Sequence, residues 1–242
     1  MSKTTIPAGG ITDSAVTTAK INADAITGAK IADDAINSEH YTDGSIDTAH
    51  IGDDQVTAAK ATGVGNKVLL LDTTLSNSSS FTANSSILTS TYKKYIIDCV
   101  NLELQSQSHV GLFGSSNNGS SYASSGYQEI NLIITSAMSN NEYYTRMNNN
   151  GSGGITIVGN AQTITNDKHI DINIELYNPA GGNDYKRVLF HAGYSNTSNQ
   201  EIFVIGTGTF GGTIGTDALN NIKIEAGSGN LKSGSIKVYG VL

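Results

Sequence analysis

Asp171 and Glu175 are the two carboxylates whose spacing best suits acid–base chemistry. They lie in the alternating stretch Ile170-Asp-Ile-Asn-Ile-Glu-Leu-Tyr177, where period-two geometry puts both on one face of a strand. Two acids across a sugar bond are the equipment of glycoside hydrolysis. Solvation of the polar side of a half-buried strand asks for the same residues, and that plainer role is the one expected. His109, His169 and His191, with abundant Ser and Asp, supply the parts of a Ser-His-Asp relay, but no nucleophile elbow marks a serine. Gly206-Thr-Gly-Thr-Phe-Gly-Gly212 has the glycines of a phosphate loop, yet such a cradle opens a helix, and strands are expected on both sides here. His40 and His50 would gather around a metal if several chains shared one axis. They stand where Lys20, Lys30 and Lys60 stand in sister segments, which marks a solvent-facing place. No catalytic residue, metal or cofactor is expected.

The tyrosines point to recognition instead. Tyr122, Tyr127, Tyr143, Tyr144, Tyr177, Tyr185 and Tyr194 border segments rich in Asn, Ser and Gly. Tyrosine offers a flat apolar face with a polar tip at low entropic cost, and Asn and Ser add adaptable hydrogen bonds. Tyr122, Tyr127, Tyr143 and Tyr144, with Asn117, Asn118, Asn149 and Asn150, form the expected receptor-binding set.

Strands must position these groups. Apolar and polar residues alternate over 170–177, and similar stretches occur at 68–71, 95–104, 128–135, 155–158, 187–194, 201–206, 221–226 and 235–242. Polar loops are expected at 114–121, 148–154 and 178–183. Many short strands without a convincing long helix predict an all-β head over 68–242, an antiparallel β-sandwich of the jelly-roll kind.

The first quarter of the chain follows another rule. Branched apolar residues recur every five positions at Ile6, Ile11, Val16, Ile21, Ile26, Ile31 and Ile36, then after Tyr41 at Ile46, Ile51 and Val56. A step of five rotates the apolar position by about 140° on a helix, so no stripe forms. On a strand an odd step flips it to the other face. Each ten-residue unit must therefore hold a turn of its own at its Asp, Gly, Ser or Thr places. One large apolar residue in five cannot be buried within a single thin chain, and repeats of this kind need neighbours. Residues 11–61 thus read as an extended, intertwined trimeric stalk. Ile11, Val16, Ile21, Ile26, Ile31, Ile36, Ile46, Ile51 and Val56 form its seam, residues 1–10 an attachment peptide, and 62–67 a hinge. Acids at the fourth place (Asp24, Asp34, Asp54) and lysines at the tenth are expected to pair between chains and set register.

A net charge of −7 with no basic run argues against a nucleic-acid partner. The single Cys99 excludes an intrachain disulfide. The first residues lack an apolar signal core, and no apolar run is long enough to insert in a membrane.

The decads, as in Ile21-Asn-Ala-Asp-Ala-Ile-Thr-Gly-Ala-Lys-Ile31-Ala-Asp-Asp-Ala-Ile36, resemble repeats in tail-fibre proteins of marine and cyanobacterial bacteriophages. Tyr92-Lys-Lys-Tyr-Ile-Ile97, Ser115-Ser-Asn-Asn-Gly-Ser-Ser-Tyr122, Leu176-Tyr-Asn-Pro179, Tyr185-Lys-Arg-Val188 and Ser233-Gly-Ser-Ile-Lys-Val-Tyr-Gly240 resemble a small β domain of phage and prophage structural proteins. The resemblance implies a non-enzymatic virion fibre, made in the host cytoplasm and commonly a homotrimer. Its distal end would adhere to a host-surface glycan or protein, and its N-terminus would bind another virion protein. A purely structural part, an adaptor or capsid-decorating fibre, is the alternative. The longer fibres carry an N-terminal tail-anchoring domain, whereas only about ten residues precede the repeats here, by the same repeat reading.

Overall fold

Each five-residue step of the repeat closes one backbone turn, so a decad holds two. In a computed structural model, the described residues are 7, 9–33, 35–52, 55–56, 67–136, 144–151, 153–159, 168–212 and 214–241. They belong to two compact units, Met1–Lys60 and Ala61–Leu242. In the first unit one turn runs from the second to the fifth residue of the decad, where Thr12, Asn22, Ala32, Thr42 and Gly52 carbonyls accept from Ala15, Ala25, Ala35, Ser45 and Gln55. The other is a short 3-10 segment, at Thr18–Lys20, Gly28–Lys30, Ser38–His40 and Thr48–His50.

The fourth place now has a backbone explanation. Ser14, Asp24 and Gly44 have φ of 62°, 59° and 78°, the left-handed conformation that the third residue of such a turn requires. The tenth place ties its own chain. Lys20 and Lys30 ammoniums donate to the Ala15 and Ala25 carbonyls at 2.6 and 2.5 Å. His40 and His50 bond through Nδ1 to the Asn37 and Asp47 side chains at 2.8 and 2.7 Å. None of this covers the apolar ladder: its members from Ile11 to Val56 are 38–58% exposed. Most of 1–10 and of the expected hinge lies outside the described residues; Lys67 opens a strand.

The second unit is all-β. Its strands are β1 (Lys67–Ser78), β2 (Phe81–Ala83), β3 (Lys94–Leu104), β4 (Val110–Ser115), β5 (Tyr127–Thr135), β6 (Tyr144–Gly151), β7 (Ile155–Val158), β8 (Ile170–Tyr177), β9 (Lys186–Ser195), β10 (Glu201–Phe210), β11 (Asn221–Ala226) and β12 (Leu231–Val241). They form two antiparallel sheets over one shared core, in the orders β1-β12-β3-β8-β9-β10-β5-β6 and β2-β11-β4-β7. A simple rule underlies both: β1 pairs with β12, β2 with β11, β3 with β8 and β4 with β7. Two further strand pairs, β5-β6 and β9-β10, are spliced into that frame. They join each other through β10 and β5 and lengthen the large sheet.

The spliced strands are docked by side chains doing the work of a backbone ladder. Thr156 of β7 donates its N–H to Glu129 Oε2 at 2.5 Å, and its carbonyl accepts from Asn131 Nδ2 at 3.1 Å. Both partners come from β5, in the other sheet, and both are buried. Arg146 of β6 approaches Glu129 Oε1 to 3.0 Å and supplies the opposing charge. A second contact is steric. Gly126 has φ of +85°, and a Cβ there would lie 2.2 Å from the Gly212 amide, so the chain entering β5 and the chain leaving β10 touch at backbone distance.

Burial raises the pKa of Glu129, against the pull of the Thr156 N–H and Arg146. Its folded form therefore holds a proton at pH values where the unfolded chain has released it. That stability is full in acid and falls as pH climbs from the ordinary carboxylate value through the raised one. Urea unfolding of the wild type and Glu129→Gln across pH 4–8 (a window of roughly that width) is expected to show the wild type losing ground to the variant as pH rises. A gap that does not change with pH would contradict a buried, proton-holding Glu129.

Candidate functional site

The expected receptor-binding set is divided by the fold. Tyr127 is a core residue, 1% exposed, and is corrected here. Its hydroxyl accepts from the Gly114 N–H at 3.1 Å, its ring packs edge-on to Phe113 and Phe210, and burial pushes its phenol up to about 12. Tyr194 is likewise buried. Tyr122 is half-buried; it donates to Asn221 Oδ1 at 2.9 Å and lies under the Lys223 ammonium. Asn117 and Asn118 are exposed but already engaged, Asn117 within its own loop and Asn118 with two neighbouring segments. Asn117 Oδ1 accepts from Ser121 N–H and Ser115 Oγ, while Asn118 Oδ1 accepts from Ser85 N–H and its own N–H donates to Asn220 Oδ1. Such amides build a rigid loop end and have little left to adapt to a ligand. Tyr143, and the side chains of Tyr144, Asn149 and Asn150, lie outside the described residues.

The carboxylate pair is brought no nearer to catalysis. Four residues apart on an extended strand, Asp171 and Glu175 stand roughly 13 Å apart at the backbone, beyond the ~9.5 Å of an inverting pair. Asp171 accepts from the Asn101 N–H at 2.9 Å. Glu175 takes the Lys94 ammonium at 2.6 Å and the Tyr177 hydroxyl, and these hold its carboxyl below the usual range, the opposite of a general acid. Cys99 is buried, its thiol pushed up to about 12.

The outer face of the large sheet is organised in rows, because residues opposed across antiparallel strands share a face. One row reads Lys94, Tyr177, Arg187, Thr209, Gln128. The next reads Glu175, Leu189, Thr207, Ile130, Met147, and the one beyond it Asn173, His191, Ile205, Leu132, Thr145. Then come Gly193, Phe203 and Ile134. The first row is polar and aromatic, whereas the others are mostly apolar from β9 onward, with His191, Thr207 and Thr145 among them.

At the end of the polar row, Tyr185 is 54% exposed. Its neighbour explains why. Lys186, 1% exposed, is turned inward, and its ammonium donates to the Asp184 and Thr216 carbonyls, clamping two loops and presenting Tyr185 outward. Desolvation lowers the Lys186 pKa, partly offset by Asp184 and Asp217. Tyr185 and Arg187 line two adjoining open hollows of about 420 and 480 Å³. The first also has Tyr177 and Asp184, the second Gln128 and Thr209. An aromatic platform beside a guanidinium, a carboxylate and an amide offers a stacking face with hydrogen-bond donors and acceptors around it, the equipment to hold a polyhydroxylated ligand. Sequence reading placed Tyr177 and Tyr185 among the loop tyrosines but did not single out Arg187, since its value comes from register across β8, β9 and β10.

No family model, no curated protein and no solved structure matches this chain.

The two tyrosines at opposite ends of this account behave differently under truncation. Tyr127→Phe strands the buried Gly114 N–H and is expected to cost ~1–3 kcal/mol. Tyr185→Ala, at the surface, is expected to stay within about 0.5 kcal/mol of wild type. Denaturant unfolding of both variants checks the pair, and equal losses would mean that Tyr185 is part of the fold.

Proposed function

We propose that the chain is a non-enzymatic fibre protein of a bacteriophage virion. In this reading it is a homotrimer joined along its first unit, and its second unit adheres to a host-surface glycan or protein. The observation that carries the reading is the exposure of Ile11, Val16, Ile21, Ile26, Ile31, Ile36, Ile46, Ile51 and Val56, nine apolar side chains in regular array with no cover from the described residues of their own unit. A surface of that kind is covered by other chains or it aggregates. Identical chains wound on one axis, as in the phage fibres that the decads resemble, give each isoleucine an apolar neighbour.

The strand order of the second unit supports the companion expectation of a jelly-roll sandwich. Setting aside the spliced strands, eight remain, and the first pairs with the last, the second with the seventh, and so inward. That is a long hairpin rolled into two sheets, an architecture shared by viral capsid and lectin domains. Fold alone assigns no activity, so the adhesive surface is argued from Tyr185, Tyr177, Arg187 and Asp184. Shallow hollows bind weakly, on the order of 4–8 kcal/mol per site, and three sites on one fibre multiply that by avidity. The rival reading, a structural virion component without a receptor, draws on the apolar rows beside the polar one.

Two experiments test the proposal. Ile26→Asp places a carboxylate from each chain in an apolar seam, at a cost of several (~3–5) kcal/mol per uncompensated charge. Light scattering with limited proteolysis is expected to show a looser oligomer and new cuts between Ile21 and Ile36, while Asp33→Asn changes neither; an intact, protected variant would refute the seam. Separately, Arg187→Ala and Tyr185→Ala in the full chain are expected to reduce binding to host cells at least about tenfold, one lost contact of ~1.4 kcal/mol, without changing oligomer mass. Undiminished adhesion would remove this site, and no adhesion by the wild type would favour the structural reading.

A further inference from the structure

We infer that the apolar field on the outer face of β9, β10, β5 and β6 is a contact surface for a second copy of this chain. This deepens the oligomeric reading above and rests on it, because the copies are those that the repeat unit brings together.

The field is contiguous by register. Ile205 of β10 lies opposite Leu132 of β5, Phe203 opposite Ile134, and Thr207 between Leu189 and Ile130; Met147 of β6 extends the field from Ile130. Among the described residues, no Asp, Glu, Lys or Arg interrupts these outward positions, and His191, whose ring lies against Phe203, is their one imidazole; Asp171, Glu175 and Arg187 stand at one margin and Glu201 at another. An apolar centre with charge confined to the rim is the anatomy of a protein interface. Leu189, Phe203, Ile205, Ile130 and Ile134 are 41–55% exposed and Met147 78%. Side chains of that size leave on the order of 500 Å² of apolar surface, at the upper end for a lone monomer. With its rim the field approaches the ~800 Å² per partner of a stable interface.

The strand sequences say the same independently. A strand with one face in water alternates, as β8 does. Ile202-Phe-Val-Ile205 in β10 and Leu132-Ile-Ile134 in β5 are apolar at both parities, the pattern of a strand covered on both faces. Ile202, Val204 and Ile133 face the core, so Phe203, Ile205, Leu132 and Ile134 are left for something else. A second copy is the occupant that needs no separate supply. The exposed ladder already demands company, and tethered copies meet at high effective concentration, so even a modest contact closes.

Met147 reports on the field in the unmodified protein. The full chain, with its mass followed by light scattering, is treated with dilute peroxide and Met147 sulfoxide is read by mass spectrometry. The expected result is an oligomer whose Met147 oxidises at least about tenfold more slowly than in the same chain unfolded in urea, a factor that ordinary exposure would not give. Phe203→Glu is expected to restore fast oxidation with the oligomer mass unchanged, since the repeat unit still holds the chains together. Retained protection in Ile26→Asp chains that remain associated would support the field as a contact in its own right. An oligomeric wild type with freely oxidising Met147 overturns this inference alone. A wild type that stays monomeric overturns it together with the oligomeric reading, and protection of Met147 in that monomer would show that the chain's own residues cover the face.

Discussion

A chain that turns every five residues and carries an apolar side chain at every fifth cannot cover that side chain itself. Among the described residues of the first unit the turn hydrogen bonds run from one residue to the third beyond it, and none brings a distant segment back over the apolar ladder. Among the described residues of the first unit only Ala15 and Ala25 are half-buried, and Ala35 at the same place is exposed. Local bonds give the repeat its shape and give it no core. Short hydrogen-bonded turns in water contribute little net free energy of their own. The same shortage of cover recurs in the second unit, on the far side of strands that do have a core beneath them. Residues as far apart in sequence as Ile26 and Ile205 thus pose one physical problem, apolar surface in excess of what one copy can bury.

The second unit solves its own half of that problem by pairing first strand with last. Eight strands in that arrangement close a core containing Tyr95, Ile97, Ile174, Ile224 and Ile236. The spliced pairs β5-β6 and β9-β10 are what make the large sheet broader than the small one. Among the described residues, β7 is the last strand of the small sheet on this side. Glu129 and Asn131 bridge to the last available backbone groups at Thr156, and the broadened sheet continues past them. This explains why β5 needs buried polar residues where β3 and β8 have isoleucines. It also explains why the excess outer face exists.

Strands that alternate were legible in the sequence. The stretch 170–177 is β8 to the residue, and 95–104, 128–135 and 187–194 differ from β3, β5 and β9 by a residue or two at an end. Alternation fails where both faces are buried: β4, Val-Gly-Leu-Phe-Gly-Ser, has no polar residue before its last to show a period. β2 is three residues long, too short for any pattern. β6 was hidden in Asn and Gly that read as loop over 148–154, and only its register against β5 makes it a strand. The need for turns in the repeat was legible, but their number was not. The Asp at its fourth place reads as a charge in sequence, whereas the backbone uses its tolerance of positive φ.

Site residues were harder to read for a related reason. Composition cannot tell an Asn that offers hydrogen bonds from one that has spent them; Asn117 has both ends of its amide engaged, and Asn118 its carbonyl oxygen. Nor can it tell Tyr127 from Tyr185, which differ by which side of a strand or loop faces the core. What decides between them is the parity of a neighbour. Lys186 opens β9 on the inward parity, and its ammonium is satisfied by carbonyls of two loops, so Tyr185 is turned out and Arg187 follows two residues later on the outer face. The polar row and the apolar field are therefore successive steps of the same strands. Moving β9 by one residue would bury Arg187 and Leu189 together and expose Val188 and Phe190. The register that shapes the hollows beside Tyr185 is the register that fills the core, and a surface fixed in this way is pre-organised before any partner arrives.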